Sequence, residues 1–175
     1  MADGFYVFIE RACGFPVGTL GKATTMSHTF SQILFHLVFG TRCRQGLINA
    51  EMREELYPYI EGIVRGEGGA LLGIGGMPDH VHLLVRLRPA IFLPDLLRSV
   101  KASSSRWVDE RFHVTGGFSR QEGYGAFSVS ESAARRVHRY IQNQEEHHRR
   151  RNFEKEWISL LKRHGIEFDP ARPFG

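Results

Sequence analysis

At 175 residues the chain is long enough to bury one hydrophobic core and too short for several domains. Its 42% hydrophobic and 24% charged residues exclude a disordered polymer, and no window approaches the roughly 18 apolar residues of a membrane span. A net charge of +4 and a pI near 9.3 favour anionic partners without identifying one. Cys13 and Cys43 lack CxxC spacing, so they read as free thiols of a reducing, cytoplasmic compartment.

Residues 1–25 carry glycines and a proline with no sustained period, and Met26-Ser27 opens directly onto a strand pattern. Residues 1–26 therefore read as a disordered or mis-annotated extension, and 27–175 as the domain. Gln32–Thr41 is nearly all apolar and β-prone, as a central strand should be. Asn49 can cap a helix through about Arg65, with Met52, Leu56, Tyr59, Ile60 and Ile63 on one side. Ala70–Ile74 and His80–Arg88 form a hairpin around a Gly75–Asp79 turn. Leu93–Phe112, with Pro94 in its first turn, is a second helix. A glycine-bearing loop from Gly116 leads to a short strand at Ala126–Val129. Ser128 or Ser130 can then cap a long helix from Glu131 to Arg151. Glu154–Arg163 is a last helix with Trp157, Leu160 and Leu161 inward. The order β-α-β-β-α-β-α predicts an α+β fold of the ferredoxin-like (RRM-like) split β-α-β type. Its antiparallel four-stranded sheet would carry helices on one face, with a C-terminal helix bearing the chemistry.

Two constellations carry that chemistry. In the strand MPDHVHLLVRLR, alternation puts Val81, Leu83, Val85 and Leu87 on the core face and His80 with His82 on the other, open one. Two imidazoles that close can bind one cation, although a pair of surface histidines on a hairpin has the same spacing. A histidine-triad hydrolase would need a third histidine where Leu84 stands, and a two-histidine phosphoesterase a second HxT besides His113-Val114-Thr115. On the long helix Tyr140 and Gln144 lie four apart and so share a face. A phenol can attack phosphorus to leave a phosphotyrosine, and an amide oxygen suits Mg²⁺ or Mn²⁺. A lone helical tyrosine can equally be a packing residue.

Taken together, MPDHVHLL and the downstream Tyr-Ile-Gln-Asn-Gln resemble the HUH single-tyrosine transposases of small bacterial insertion sequences, over about Ser27–Asp169. FHLVFGTRCR, the SSSRW of Ser103–Trp107 and the GYGAFSVS of Gly123–Ser130 belong to the same likeness. The resemblance implies His80 and His82 as metal ligands, Gln144 as the third, Tyr140 as nucleophile, and Mg²⁺ or Mn²⁺ as cofactor. It implies cleavage and rejoining of single-stranded DNA at hairpin ends through a 5′-phosphotyrosine. It also implies a homodimer whose sheets join and whose active sites are shared, Tyr140 acting in trans. Arg42, Arg44, Lys101, Arg106 and Arg120 are candidate phosphate contacts; His148 and His36 are given no catalytic part. A domesticated, repeat-associated nuclease of the same fold is the near alternative. A non-catalytic nucleic-acid-binding module is the distant one, which would carry stacking aromatics on its strands.

Overall fold

The computed structural model describes residues 30–120, 123–171 and 173–174. The expectations for residues 1–26 fall outside them. The elements run β1 (Ile33–Gly40), α1 (Ala50–Gly66), β2 (Ala70–Met77), β3 (His80–Leu87), α2 (Leu93–Phe112), β4 (Gly125–Val129), α3 (Glu131–Gln142), α4 (Gln144–His148) and α5 (Phe153–Arg163). The strands form one antiparallel sheet in the order β2-β3-β1-β4, the α+β, ferredoxin-like arrangement expected from the sequence.

The two faces of the sheet follow from strand alternation. Odd-numbered residues of β1 and β3, such as Leu37, Phe39, Leu83 and Val85, pack against α1 and α2 in the larger core. The α1 residues that reach it are Met52, Leu56, Ile60 and Val64, one helical face at spacings of four. Asn49 caps this helix by accepting from the Met52 amide at 2.8 Å, and Pro58 is accommodated inside it.

The even-numbered face is also covered, which the sequence reading did not foresee. Val38 and Phe127 pack against Phe153, Trp157, Leu160 and Leu161 of α5, while α3 crosses β2. His80 and His82 were expected on an open face; both are fully buried. The reason is that α5 supplies the apolar surface this face needs.

Two local differences arise from the same crossing. The expected Gly75–Asp79 turn shrinks to Pro78-Asp79, because β2 continues through Met77. Gly75 is in the strand to let α3 approach: a Cβ there would intersect the Ile141 carbonyl oxygen, and one at Gly73 would strike the His138 ring. The expected single helix from Glu131 to Arg151 is broken at Asn143 (φ −101°, ψ 28°), next to this contact. There Ile141 is buried against β2 and the Gln142 side-chain amide donates to the Ile74 carbonyl at 3.1 Å. Gly75→Ala is expected to push α3 off the sheet. Its cost should be about 1–3 kcal/mol, the range for overpacking, read as a lowered denaturation midpoint with an unchanged m-value.

Candidate active site

His80 and His82 project from β3 into the space closed by α3, α4 and α5. Their Nδ1 atoms are each held from behind. His80 Nδ1 lies 2.7 Å from Asp79 Oδ1, and Asp79 is itself paired with Arg44. The Arg44 guanidinium stacks 3.6 Å above the Phe153 ring. His82 Nδ1 lies 2.9 Å from His36 Nε2. The register explains that second pair: Val38 faces His82 across β1 and β3, so His36, two residues away, shares its face. Burial pushes His36 down to about 4 and His82 well below the usual imidazole range, so this pair is neutral at pH 7. Asp79 sits at about 2: burial raises its carboxyl, but the hydrogen bonds and charges of His80 and Arg44 more than offset it.

Anchoring Nδ1 turns each Nε2 inward as the free lone pair, which is the orientation of a metal-ligating histidine. Opposite them stands Glu156 of α5, buried like them. Its oxygens lie 3.8 Å from His80 Nε2 and 3.5 Å from His82 Nε2. Of these three residues, His80 Nε2 and His82 Nε2 are buried without a hydrogen-bond partner, a costly condition unless something binds there. One donor atom from each falls within 4.8 Å of the others. Ligands about 2.0–2.2 Å from a common cation lie about 3–4 Å from one another, so the three residues fit a divalent ion.

Tyr140 is on the α3 side of this cluster. Its hydroxyl donates to Glu156 Oε1, and its ring lies edge-on to His82 and His36, with centroids 6.0 and 6.1 Å away. A single chain thus gathers the tyrosine and both histidines. Burial, then the Glu156 charge and its hydrogen bond, push the Tyr140 phenol well above its usual range. Glu156 is moved the other way. Burial alone would raise it, but the hydrogen bond with His148, the field of His82 and the hydrogen bond from Tyr140 hold it well below the carboxylate range.

Gln144 is also in the cluster, where both ends of its side-chain amide are engaged by neighbours. Its amide nitrogen donates to Glu156 Oε1 at 3.3 Å and to the Tyr140 carbonyl at 3.4 Å, while its oxygen faces His148 Nε2 at 3.1 Å. The sequence reading missed Glu156; it gave His148, which lies 2.9 Å from Glu156 Oε2, at most a supporting place behind the ligands, and read His36 as a satisfied sheet histidine. Asp79→Asn is expected to release the His80 ring and weaken cation binding about 10- to 100-fold, measured by calorimetric titration with Mn²⁺.

The five candidate phosphate contacts do not form one group. Arg42 and Arg106 are exposed. Lys101 donates to the Gly123 carbonyl at 3.2 Å. Arg44 serves the Asp79–His80 pair. Arg120 is buried, its guanidinium near the Phe39 and Phe118 rings and 3.4 Å from Ser104 Oγ. That enclosure, which lowers it to about 9, removes it from the surface a phosphate could reach.

A buried two-histidine, one-carboxylate centre beside a tyrosine on a ferredoxin-like sheet defines a class of metal-compatible tyrosine site. The chain belongs to the IS200-like transposase family, whose sequence model matches residues 29–144. It is 26% identical over 118 residues to the ISDra2 transposase TnpA of Deinococcus radiodurans, covering 65% of this chain and 84% of that one. A crystal structure from Deinococcus radiodurans R1 described as a transposase is similar too. It has a TM-score of 0.55 and 26% identity over 73% of this chain and 98% of that one. The fold is also that of a REP-associated tyrosine transposase bound to a REP hairpin, with a TM-score of 0.50 and 14% identity, over 67% and 72% of the two chains.

Among the described residues no helix is long and apolar enough to cross a membrane.

Proposed function

We propose that this transposase cleaves and rejoins single-stranded DNA at hairpin ends, with Tyr140 as nucleophile. The observation that carries the reading is the convergence of His80 Nε2 and His82 Nε2, both buried without a hydrogen-bond partner, on the Glu156 carboxylate that also accepts from the Tyr140 hydroxyl.

In the cleavage step the Tyr140 oxygen attacks the scissile phosphorus. A phosphotyrosine bond to the 5′ side forms, the P–O3′ bond breaks, and the 3′ oxygen leaves with a proton as a free hydroxyl. Attack by another 3′-OH reverses the step, so the bond energy is kept and no nucleotide cofactor is consumed. His80, His82 and Glu156 would hold a divalent cation, Mg²⁺ or Mn²⁺, which supplies charge stabilisation at the phosphate. Two imidazoles beside a carboxylate favour Mn²⁺ of the two. Glu156 orients the Tyr140 hydroxyl, and Gln144 and His148 orient Glu156. The homodimer implied by the family resemblance belongs to this reading. The packing of Tyr140 against its own chain's His82 favours a site that can also work within one chain.

The test is incubation with labelled single-stranded DNA that carries a hairpin and its flank, with Mn²⁺ or Mg²⁺ and with EDTA. A denaturant-resistant protein–DNA adduct that requires the cation supports the reading. Binding with no adduct under any cation supports a non-catalytic module instead.

A further inference from the structure

Beside Tyr140 lies an open cleft of about 960 Å³ whose lining includes Arg136, Arg139, Asn143, His147, Arg150 and Arg151. From Arg136 these positions succeed one another at helical spacings of three and four, through 139, 143 and 147 to 150 and 151, so they present one continuous cationic stripe. The break at Asn143 does not interrupt it, since residues of both α3 and α4 line the same cleft. All four arginines are exposed. Among the described residues, no carboxylate stands within ion-pair distance of Arg136, Arg139 or Arg151. Glu146, the one acid in the lining, is taken up by Arg149 at 2.8 Å and Arg150 at 3.4 Å. Like charges that close repel in the folded protein unless an anion is present. None of these arginines is among the phosphate contacts suggested by the sequence.

We propose that this stripe is the track for the phosphodiester backbone of the unpaired nucleotides that flank the scissile phosphate. The cleft of about 960 Å³ has room for more than one nucleotide of single strand. The cleft opens onto the Tyr140 ring, with His147 5.1 Å from it between centroids. A strand bound along the arginines therefore delivers a phosphate to the hydroxyl. The occupant is single-stranded: the cleft is lined by charge and one tyrosine, with no groove-reading element, so it holds backbone and reads no base sequence. This inference rests on the proposed function and adds where the substrate lies.

The experiment measures binding of Tyr140→Phe protein to a labelled hairpin with a single-stranded flank, and to the same hairpin without it, over a range of salt. Arg136→Ala/Arg139→Ala in that background should weaken binding of the flanked strand about tenfold or more at low salt. It should also reduce the slope of log K against log salt by about 1.4, two phosphate contacts at about 0.7 each. Binding of the hairpin without a flank should be unchanged, and Arg136→Lys/Arg139→Lys should restore the slope. Arg98→Ala, at a distant ion pair with Asp95, should change neither. An unchanged slope for the flanked strand, with adduct formation intact in the Tyr140-containing double variant, overturns the track and leaves the proposed function standing. A protein that binds no strand at all overturns both.

Discussion

Tyr140→Phe is expected to abolish the covalent protein–DNA adduct while leaving a folded protein that still binds the strand. Phenylalanine keeps the ring that packs edge-on against His36 and His82 and removes the one atom that can attack phosphorus. A loss of at least about 10³-fold in cleavage is the minimum for a missing nucleophile, equivalent to about 4 kcal/mol of barrier. Stability should fall as well, because the hydroxyl donates to a buried carboxylate; hydrogen bonds to charged groups contribute about 1.5–3 kcal/mol. Gel detection of the adduct and a thermal melt separate the two effects. An adduct that survives the substitution means that another side chain is the nucleophile.

Glu156→Gln should be the most damaging change at the cation site. It keeps the size and most of the shape of the side chain but removes the negative charge that faces His80 and His82. Cation affinity should drop about 100-fold or more, since substitution even of residues behind the ligands costs 10- to 100-fold. The readout is Mn²⁺ binding by electron paramagnetic resonance or calorimetry, which does not depend on cleavage. In the wild type, Mn²⁺ at about 100 times its Kd should stabilise the fold by about 2.7 kcal/mol; in the variant the melting temperature should not respond at that concentration. The acid limb should change with it. Glu156 is depressed in the folded state, so its contribution is present above the ordinary carboxylate value of about 4.3 and is lost as pH falls below it. The variant lacks that part of the acid sensitivity. Undiminished Mn²⁺ affinity would exclude Glu156 as a ligand and return Gln144 to that place.

Much of this was legible in the sequence because it depends on local periods. The alternation of Val81, Leu83, Val85 and Leu87 fixed the side of β3 on which His80 and His82 lie, and Leu93–Phe112 is a helix with the bounds its pattern predicts. What lies opposite the histidines depends on which element covers the second face of the sheet, a contact between residues far apart in the chain. Glu156 stands in Glu154-Lys155-Glu156, which reads as ordinary surface charge on a helix. A signal was present nonetheless. Glu156 lies three residues after Phe153 and four before Leu160, so it shares the apolar stripe of α5, where a carboxylate requires a partner. The break at Asn143 was hidden for a related reason, since it lies beside the contact of Ile141 with Gly75 of β2. Arg120 illustrates the reverse error: a cation in a glycine loop reads as a surface phosphate contact, yet aromatic rings enclose it.

The position of Glu156 along the chain has a consequence for how separable this protein is into parts. The stretch shared with the family model ends at residue 144, so the carboxylate is contributed by the tail beyond it. A protein ended at that boundary would retain His80, His82 and Tyr140 and would still be recognised as a transposase by its sequence. It would lose the acid that faces them and the α5 residues that seal them from water. Grafting the shared segment alone onto another chain would therefore transfer the family signature without the carboxylate that faces His80 and His82.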